Sequence, residues 1–269
     1  MAFKPRRNKK PYKKRSAYKS KKPKAIGVST AIAKYVNRVV HQNIENKQIG
    51  EKNDEFFSSY IFGNNLNVMP IYPCAASLVI NQGTGQGERV GNTIKTRKLL
   101  LKYILHPAPY DTQNNPSPCP QEVMIWIGYL KNNRMKEPDT TDFGKFFQYG
   151  SINSSPTSLL WDTMSPVNKD LFTICKVFRH KIGTAAYQGD GHNSYAQYFN
   201  NNDFKLNASK TVDCTKFINK TLKFDDTTVQ SDTGLYLWMT SVNADGTLGN
   251  SNMYATHIMW TLDYFYEDA

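Results

Sequence analysis

Gly83, Gly85, Gly87 and Gly91 fall within nine positions of the run INQGTGQGERVGN (80–92), and glycine at such density lets backbone N–H groups cradle a phosphate. A dinucleotide loop of that kind joins a strand to a helix whose N-terminus meets the pyrophosphate. Here the glycines lead into NTIKTRKLLLKYIL, which is rich in Ile, Thr, Leu and Tyr and tends to alternate, and the Walker Gly-Lys-Ser/Thr spacing is missing. The run therefore reads as a strand-to-strand connection, with glycines allowing positive φ and close approach of neighbouring backbone. Arg89 and the Lys95/Arg97 pair read as solvated strand charges, with phosphate contact as their alternative role.

Other stretches imitate catalytic motifs. Asp142-Phe143-Gly144 repeats a kinase tripeptide, but no catalytic-loop motif or strand lysine accompanies it. Asp190, His192 and His180 suggest a metal site, yet the five histidines show no HExxH spacing, and turn chemistry around Gly189 and Gly191 explains the pattern better. No G-x-S-x-G elbow occurs. Cys74, Cys119, Cys175 and Cys214 are widely spaced without a CxxC pair, which removes zinc and haem motifs and a disulfide framework and leaves free thiols in a reducing compartment. The sequons at Asn153, Asn207 and Asn219 read as chance. The expectation is a protein without enzymatic activity, cofactor or metal.

Charge carries more information. Residues 1–24 hold Lys4, Arg6, Arg7, Lys9, Lys10, Lys13, Lys14, Arg15, Lys19, Lys21, Lys22 and Lys24 and no acidic residue. Taking those 12 from the 34 Lys and Arg of the chain leaves 22 in residues 25–269, against 22 Asp and Glu. The whole excess of +12 thus sits on one arm. With Pro5, Pro11 and Pro23, few aliphatic residues and strong self-repulsion, the arm is expected to be disordered. Each of its cations displaces condensed counterions from a phosphate backbone, giving sequence-tolerant, salt-sensitive binding. Phe3, Tyr12 and Tyr18 sit among them, placed to stack on unpaired bases. Residues 4–24 also have the composition read by a nuclear import receptor. The arm lacks the apolar centre of a secretion signal, and no run approaches the 18 or more apolar residues of a membrane span.

The elements that position these residues are mostly strands. Aromatic residues are 13% of the chain, including 16 Tyr, and pleated surfaces favour aromatic and β-branched side chains. STAIAKYVNRVVHQNIENKQ (29–48) is the best helix candidate, with Ser29 or Thr30 as cap. From Glu55 onward the candidate strands are 55–62, 76–81, 93–106, 121–130, 170–182, 214–224, 234–243 and 253–267, and 140–150 suits one short helix inside a loop. In the last strand Ile258, Trp260, Leu262, Tyr264 and Tyr266 share a face. In 170–182, Phe172, Ile174, Phe178 and Ile182 do so, with Lys176 breaking the pattern. About eight strands with long polar loops predict an all-β fold, a single antiparallel jelly-roll sandwich. The expected organisation is an arm at 1–24, an amphipathic helix or tether at 25–52, and a jelly-roll domain at 53–269.

The run Gln82-Gly83-Thr84-Gly85-Gln86-Gly87-Glu88-Arg89-Val90-Gly91-Asn92-Thr93-Ile94, followed by a basic and then apolar strand, resembles the segment ahead of the third strand in capsid proteins of circular, Rep-encoding single-stranded DNA viruses, circoviruses among them. The basic arm, the NRVVHQNIENKQ segment (37–48) and the aromatic C-terminal strand fit the same pattern. The arm is mainly lysine, whereas circovirus arms are arginine-dominated. The resemblance implies a jelly-roll subunit, a T=1 icosahedral shell of about sixty copies, a single-stranded DNA genome held by the arm, and residence in the virion and, during assembly, the host nucleus. The residues alone leave DNA and RNA open. A small RNA-virus coat protein and a non-viral nucleic-acid-binding module with a basic tail remain the alternatives.

Overall fold

The computed structural model describes residues 32, 34–35, 46–58, 67–71, 79–109, 113, 115, 118–134, 136–157, 159–184, 204–224, 234–247 and 254–268. The chain divides into one unit at Met1–Asn43 and a second, compact unit at Ile44–Ala269. Within the first, Ile32, Lys34 and Tyr35 are helical.

The second unit is a two-sheet antiparallel sandwich. Its strands are β1 Asn46–Ser58, β2 Asn67–Pro70, β3 Thr93–Pro107, β4 Gln121–Leu130, β5 Phe147–Tyr149, β6 Ile152–Ser154, β7 Phe172–Ile182, β8 Ala208–Asp213, β9 Thr221–Lys223, β10 Tyr236–Asn243 and β11 Tyr254–Asp268. One sheet runs β1-β11-β3-β8, with β9 on the other end of β3, and the facing sheet runs β2-β10-β4-β7. Setting aside the short β5, β6 and β9, the chain order across the sheets is 1-8-3-6 and 2-7-4-5. That order, with successive strands crossing between sheets except at the β4–β7 neighbours, is the jelly-roll expected from the sequence.

Burial explains why these residues form these strands. The inner faces of β3, β4, β10 and β11 pack together through Leu99, Leu101, Leu105, Val123, Ile125, Ile127, Leu237, Met239, Ile258 and Leu262, with Trp260, Tyr264 and Tyr266 among them. The face foreseen in the last strand is thus the core face. β4 is apolar on both sides because its other side, through Met124, Trp126 and Leu130, meets a second cluster. The segment 131–171 folds over that side and carries a short helix α1 (Thr140–Phe143), the β5–β6 hairpin and a 3-10 turn at Leu160–Thr163. Phe143, Phe146, Phe147 and Phe172 close on Trp126 and Trp238; the rings of Phe146 and Trp126 lie edge-to-face at 5.1 Å, a favoured aromatic geometry.

Several expectations need correction. β1 starts at Asn46, not 55, so Asn46–Lys52, read as part of the helix and tether, belong to the sheet, where they pair with Thr261–Glu267. Polar NKQIGEK hides that role because it forms an edge whose inward lysine is neutralised by an acid. Residues 59–62 of the first candidate strand and 76–78 of the second lie outside the described residues, and Val79–Asn81 are not strand. The four-residue β2 was not foreseen. The candidate at 214–224 is a 3-10 turn at Thr215–Phe217 followed by three-residue β9, while β8 lies just before it at Ala208–Asp213. In β7 the pairing skips Cys175, from Lys176 opposite Ile127 to Ile174 opposite Gly128. This bulge divides the face expected in one piece: Phe172 and Ile174 join the second cluster, and Phe178 and Ile182 join the main core. Gly128 makes the bulge fit, since a Cβ there would stand 2.2 Å from the Thr173 carbonyl oxygen.

Candidate functional site

The arm cations Lys4 to Lys24, with Phe3, Tyr12 and Tyr18, lie outside the described residues. What the compact unit does show begins at the glycine run. Gln82 bridges Arg89, and the Gly83 N–H donates to the Arg89 carbonyl at 2.9 Å. The Gly85 N–H donates to Glu88 Oε2 at 2.8 Å, and a Cβ at Gly83 would stand 2.1 Å from that oxygen. The chain's own carboxylate therefore occupies the cradle in which a phosphate would sit. Positive φ occurs among the described glycines at Gly150 and Gly246 and not in this loop, so close approach, not unusual dihedrals, accounts for Gly83 and Gly85.

The loop is a clasp on the strand ends. The Arg89 side chain is buried, donates to the Gly91 carbonyl at 2.6 Å and to Asn92 Oδ1 at 2.8 Å, and lies 4.3 Å over the Phe224 ring. Arg89 is thus an internal tie and not a strand-surface cation. Lys47 Nζ of β1, fully buried, donates to the Glu88 carbonyl at 2.7 Å and pairs with Asp268 of β11 at 2.8 Å. Arg97 is exposed and pairs with Glu267. Replacing Lys47 by Met strands a partly buried carboxylate and a carbonyl, and a loss of about 3 kcal/mol in urea unfolding is expected. An unchanged midpoint would show that the clasp contributes nothing.

The enzyme-like stretches resolve into structure. Asp142 is the third residue of α1 and forms a capping box with Asp139, Phe143 is buried in the second cluster, and Gly144 ends the helix. His180 Nε2 lies 2.8 Å from the Tyr103 hydroxyl, while Asp190 and His192 lie outside the described residues. No group of His, Cys, Asp and Glu suited to a metal ion occurs among the described residues. Cys119, Cys175 and Cys214 are free thiols, and burial pushes Cys214 up to about 12; Cys74 lies outside the described residues. No described helix is long and apolar enough to cross a membrane.

Burial, reinforced by the charge of Lys210, holds the His180 imidazole below its ordinary 6.5. The unfolded chain takes up that proton as pH falls through about 6.5 while the folded chain resists it, so stability is unaffected above this window and declines below it. Replacing His180 by Gln, which still accepts from Tyr103, is expected to flatten the fall in urea midpoint between about pH 7.5 and 5.5. An equally steep fall in the variant would put the acid sensitivity elsewhere.

The covering segment 131–171 presents an apolar surface that the sequence reading did not single out. Ile152 is 67% exposed, Trp161 67%, Met164 70% and Tyr149 47%. They are held together: Tyr149 pairs with Ile152 across the hairpin, its hydroxyl bonds Ser165, and Ser165 Oγ donates to the Trp161 carbonyl at 2.6 Å. The positive φ of +62° at Gly150 makes the tight turn possible. Large apolar side chains exposed close together on one ordered segment mark a protein contact more often than isolated ones do. Periodicity could not flag it, because the four residues sit in three short elements separated by polar loop.

No protein-family model matches the chain, and no curated protein matches it. Among solved structures it is similar to a chain of Desmodium yellow mottle tymovirus, at 11% identity over 83% of this chain and 90% of that one, with a TM-score of 0.33. It is similar also to a chain of turnip yellow mosaic virus, at 10% identity over 82% and 94%, with a TM-score of 0.29. Superpositions this loose leave the chain's own topology and charge as the ground for function.

Proposed function

We propose that this chain is a viral capsid subunit that assembles with copies of itself into a small icosahedral shell and packages a single-stranded genome through its basic arm. The observation that carries the reading is the joint presence of a jelly-roll body and the arm. Sheet order 1-8-3-6 over 2-7-4-5 encloses a packed core, and the +12 excess lies wholly within residues 1–24. A jelly-roll supplies rigid walls whose loops meet neighbours, and a detached polycation condenses nucleic acid without reading its sequence. About sixty arms, each neutralising ~12 phosphates, supply roughly 700 positive charges, a partial neutralisation of a small genome. The exposed patch of Tyr149, Ile152, Trp161 and Met164 supports the same reading as a subunit contact.

A single-stranded DNA genome and a T=1 shell follow the resemblance carried by residues 82–94, and a nuclear stage of assembly follows from the import-like composition of 4–24. The polycation itself serves DNA and RNA alike. Sedimentation of the full chain across a range of salt and pH tests the proposal. A large, uniform species is expected in at least one condition, with nuclease sensitivity of its contents separating DNA from RNA. A chain that stays monomeric throughout, with or without nucleic acid, would exclude the capsid role.

A further inference from the structure

The body as a whole is neutral, yet its charge is unevenly placed. β3 carries Lys95, Arg97, Lys98 and Lys102 and no acid, and β7 carries Lys176, Arg179 and Lys181 and no acid. Residues 204–212 add Lys205 and Lys210. The carboxylates paired with or beside these cations among the described residues are Glu122, Asp213, Asp263 and Glu267, fewer than half as many. The fold brings the three segments to one side: β8 pairs with β3, and Lys205 bridges Ile182 at the end of β7.

Two concavities follow this side. A cleft of about 610 Å³ between β7 and the start of β8 is lined by Arg179, His180, Lys181, Lys205 and Ser209. A groove of about 1080 Å³ on the β1-β11-β3-β8 sheet is lined by Lys52, Lys102, Lys210, Ser209, Ile104 and Met259. Ser209 belongs to both, so the two adjoin at the β8 edge, and together they are termed the track. Its cations sit beside aromatic rings, with Lys181 Nζ 5.2 Å from the Phe204 centroid and Lys210 Nζ 5.4 Å from that of Phe178. Its apolar part is open, with Ile104 46% and Met259 47% exposed as a cross-strand pair beside the Lys52–Thr261–Lys102 row.

We infer that this track binds the backbone of single-stranded nucleic acid, independently of the arm. Lys52 and Lys102 lie on the outer face of the sheet, and Lys210, opposite Tyr103, lies at its β8 edge towards Phe178. Cations carried round that edge suit successive phosphates, and the apolar pair beside them suits unpaired bases, the combination by which single strands are held without sequence preference. A sulfated polysaccharide matches the cations but has no flat apolar face to lay on Ile104 and Met259. The inference deepens the packaging role proposed above, and rests on that role only in calling the bound strand a genome. Its consequence is that shell walls, as well as arms, hold the strand.

The test uses the full chain, titrated with a thymidine oligonucleotide of about 30 nucleotides at several salt concentrations. The track variant combines Lys102→Gln, Lys205→Gln and Lys210→Gln. A charge-matched control combines Lys131→Gln, Lys145→Gln and Lys169→Gln on segment 131–171, all exposed. Loss of three phosphate contacts lowers the steepness of log K against log salt by about 2, at ~0.7 per contact on a single strand, and weakens binding roughly tenfold or more near 0.15 M salt. The control is expected to stay within about twofold of the parent, and arginine at 102, 205 and 210 to restore the slope. Unchanged urea midpoints keep the comparison one of folded chains. Equal effects of the two variants, or none from either, would overturn the inference. So would a track variant that loses heparin fragments while holding the oligonucleotide, which would assign the surface to a polysaccharide. Particle formation is scored separately by electron microscopy. Failure of the track with intact particles leaves the capsid reading standing, and absence of particles from the parent leaves the slope difference meaningful on its own.

Discussion

A chain lacking residues 1–24 is expected to unfold in the same cooperative transition as the full chain while losing most of its packaged nucleic acid. The two halves of that expectation have separate grounds. Ile44–Ala269 forms a compact unit of its own, and the described residues of its core and clasp lie within 47–268. Removing 12 cations from a chain of net charge +12 leaves a net charge of zero. If the arm engages a single strand fully, it contributes a slope of about −8 in log K against log salt, at ~0.7 per contact. That corresponds to a loss of roughly 10⁵ in affinity between about 50 and 200 mM salt. The truncated chain should keep only the shallow slope of the body, about −2 or −3 if the basic track of the sandwich is engaged. Loss of cooperative unfolding in the truncation would refute the independence of the arm, and an undiminished slope would place the main contact on the body.

The second large effect concerns the exposed apolar patch. Trp161→Ser together with Ile152→Asp is expected to abolish particle formation without lowering subunit stability. Both side chains are 67% exposed, so the free subunit loses little, within about 0.5 kcal/mol for ordinary surface substitutions. In a shell each buried large apolar side chain contributes about 1.5–3 kcal/mol. Two of them per subunit raise the concentration needed for assembly by roughly 10³, at 1.4 kcal/mol per tenfold. The aspartate adds the cost of an unpaired buried charge. Light scattering against concentration reads the threshold. Particles forming at the parental concentration would remove the patch from the subunit contacts.

The parts of this fold legible in the sequence are those whose environment is the same along a whole element. β4 is buried on both faces from Gln121 to Leu130 and was delimited to the residue. β11 alternates without interruption through Ile258 and Tyr266. Edges were harder to read. β1 is polar because one of its faces is solvent and because Lys47 is buried against Asp268, and nothing local to NKQIGEK announces an acid more than two hundred residues away. β7 defeated the periodicity argument at Cys175, where the extra residue of the bulge exchanges the faces. The basic arm is a compositional signal and needs no fold to be seen. The basic track was hidden by cancellation, since 22 cations and 22 acids sum to nothing until the fold sorts them by place. The glycine run was read correctly as structural, but its working part is Glu88, a carboxylate where the motif would have a guest anion.

The central claim is that the neutral jelly-roll and its polycationic arm form a shell around nucleic acid. Negative-stain electron microscopy of the full-length chain, with absorbance at 260 and 280 nm read on the sedimenting fraction, tests it most directly. The account predicts uniform spherical particles whose fraction absorbs more strongly at 260 nm. Small soluble species free of nucleic acid, across salt and pH, would contradict it.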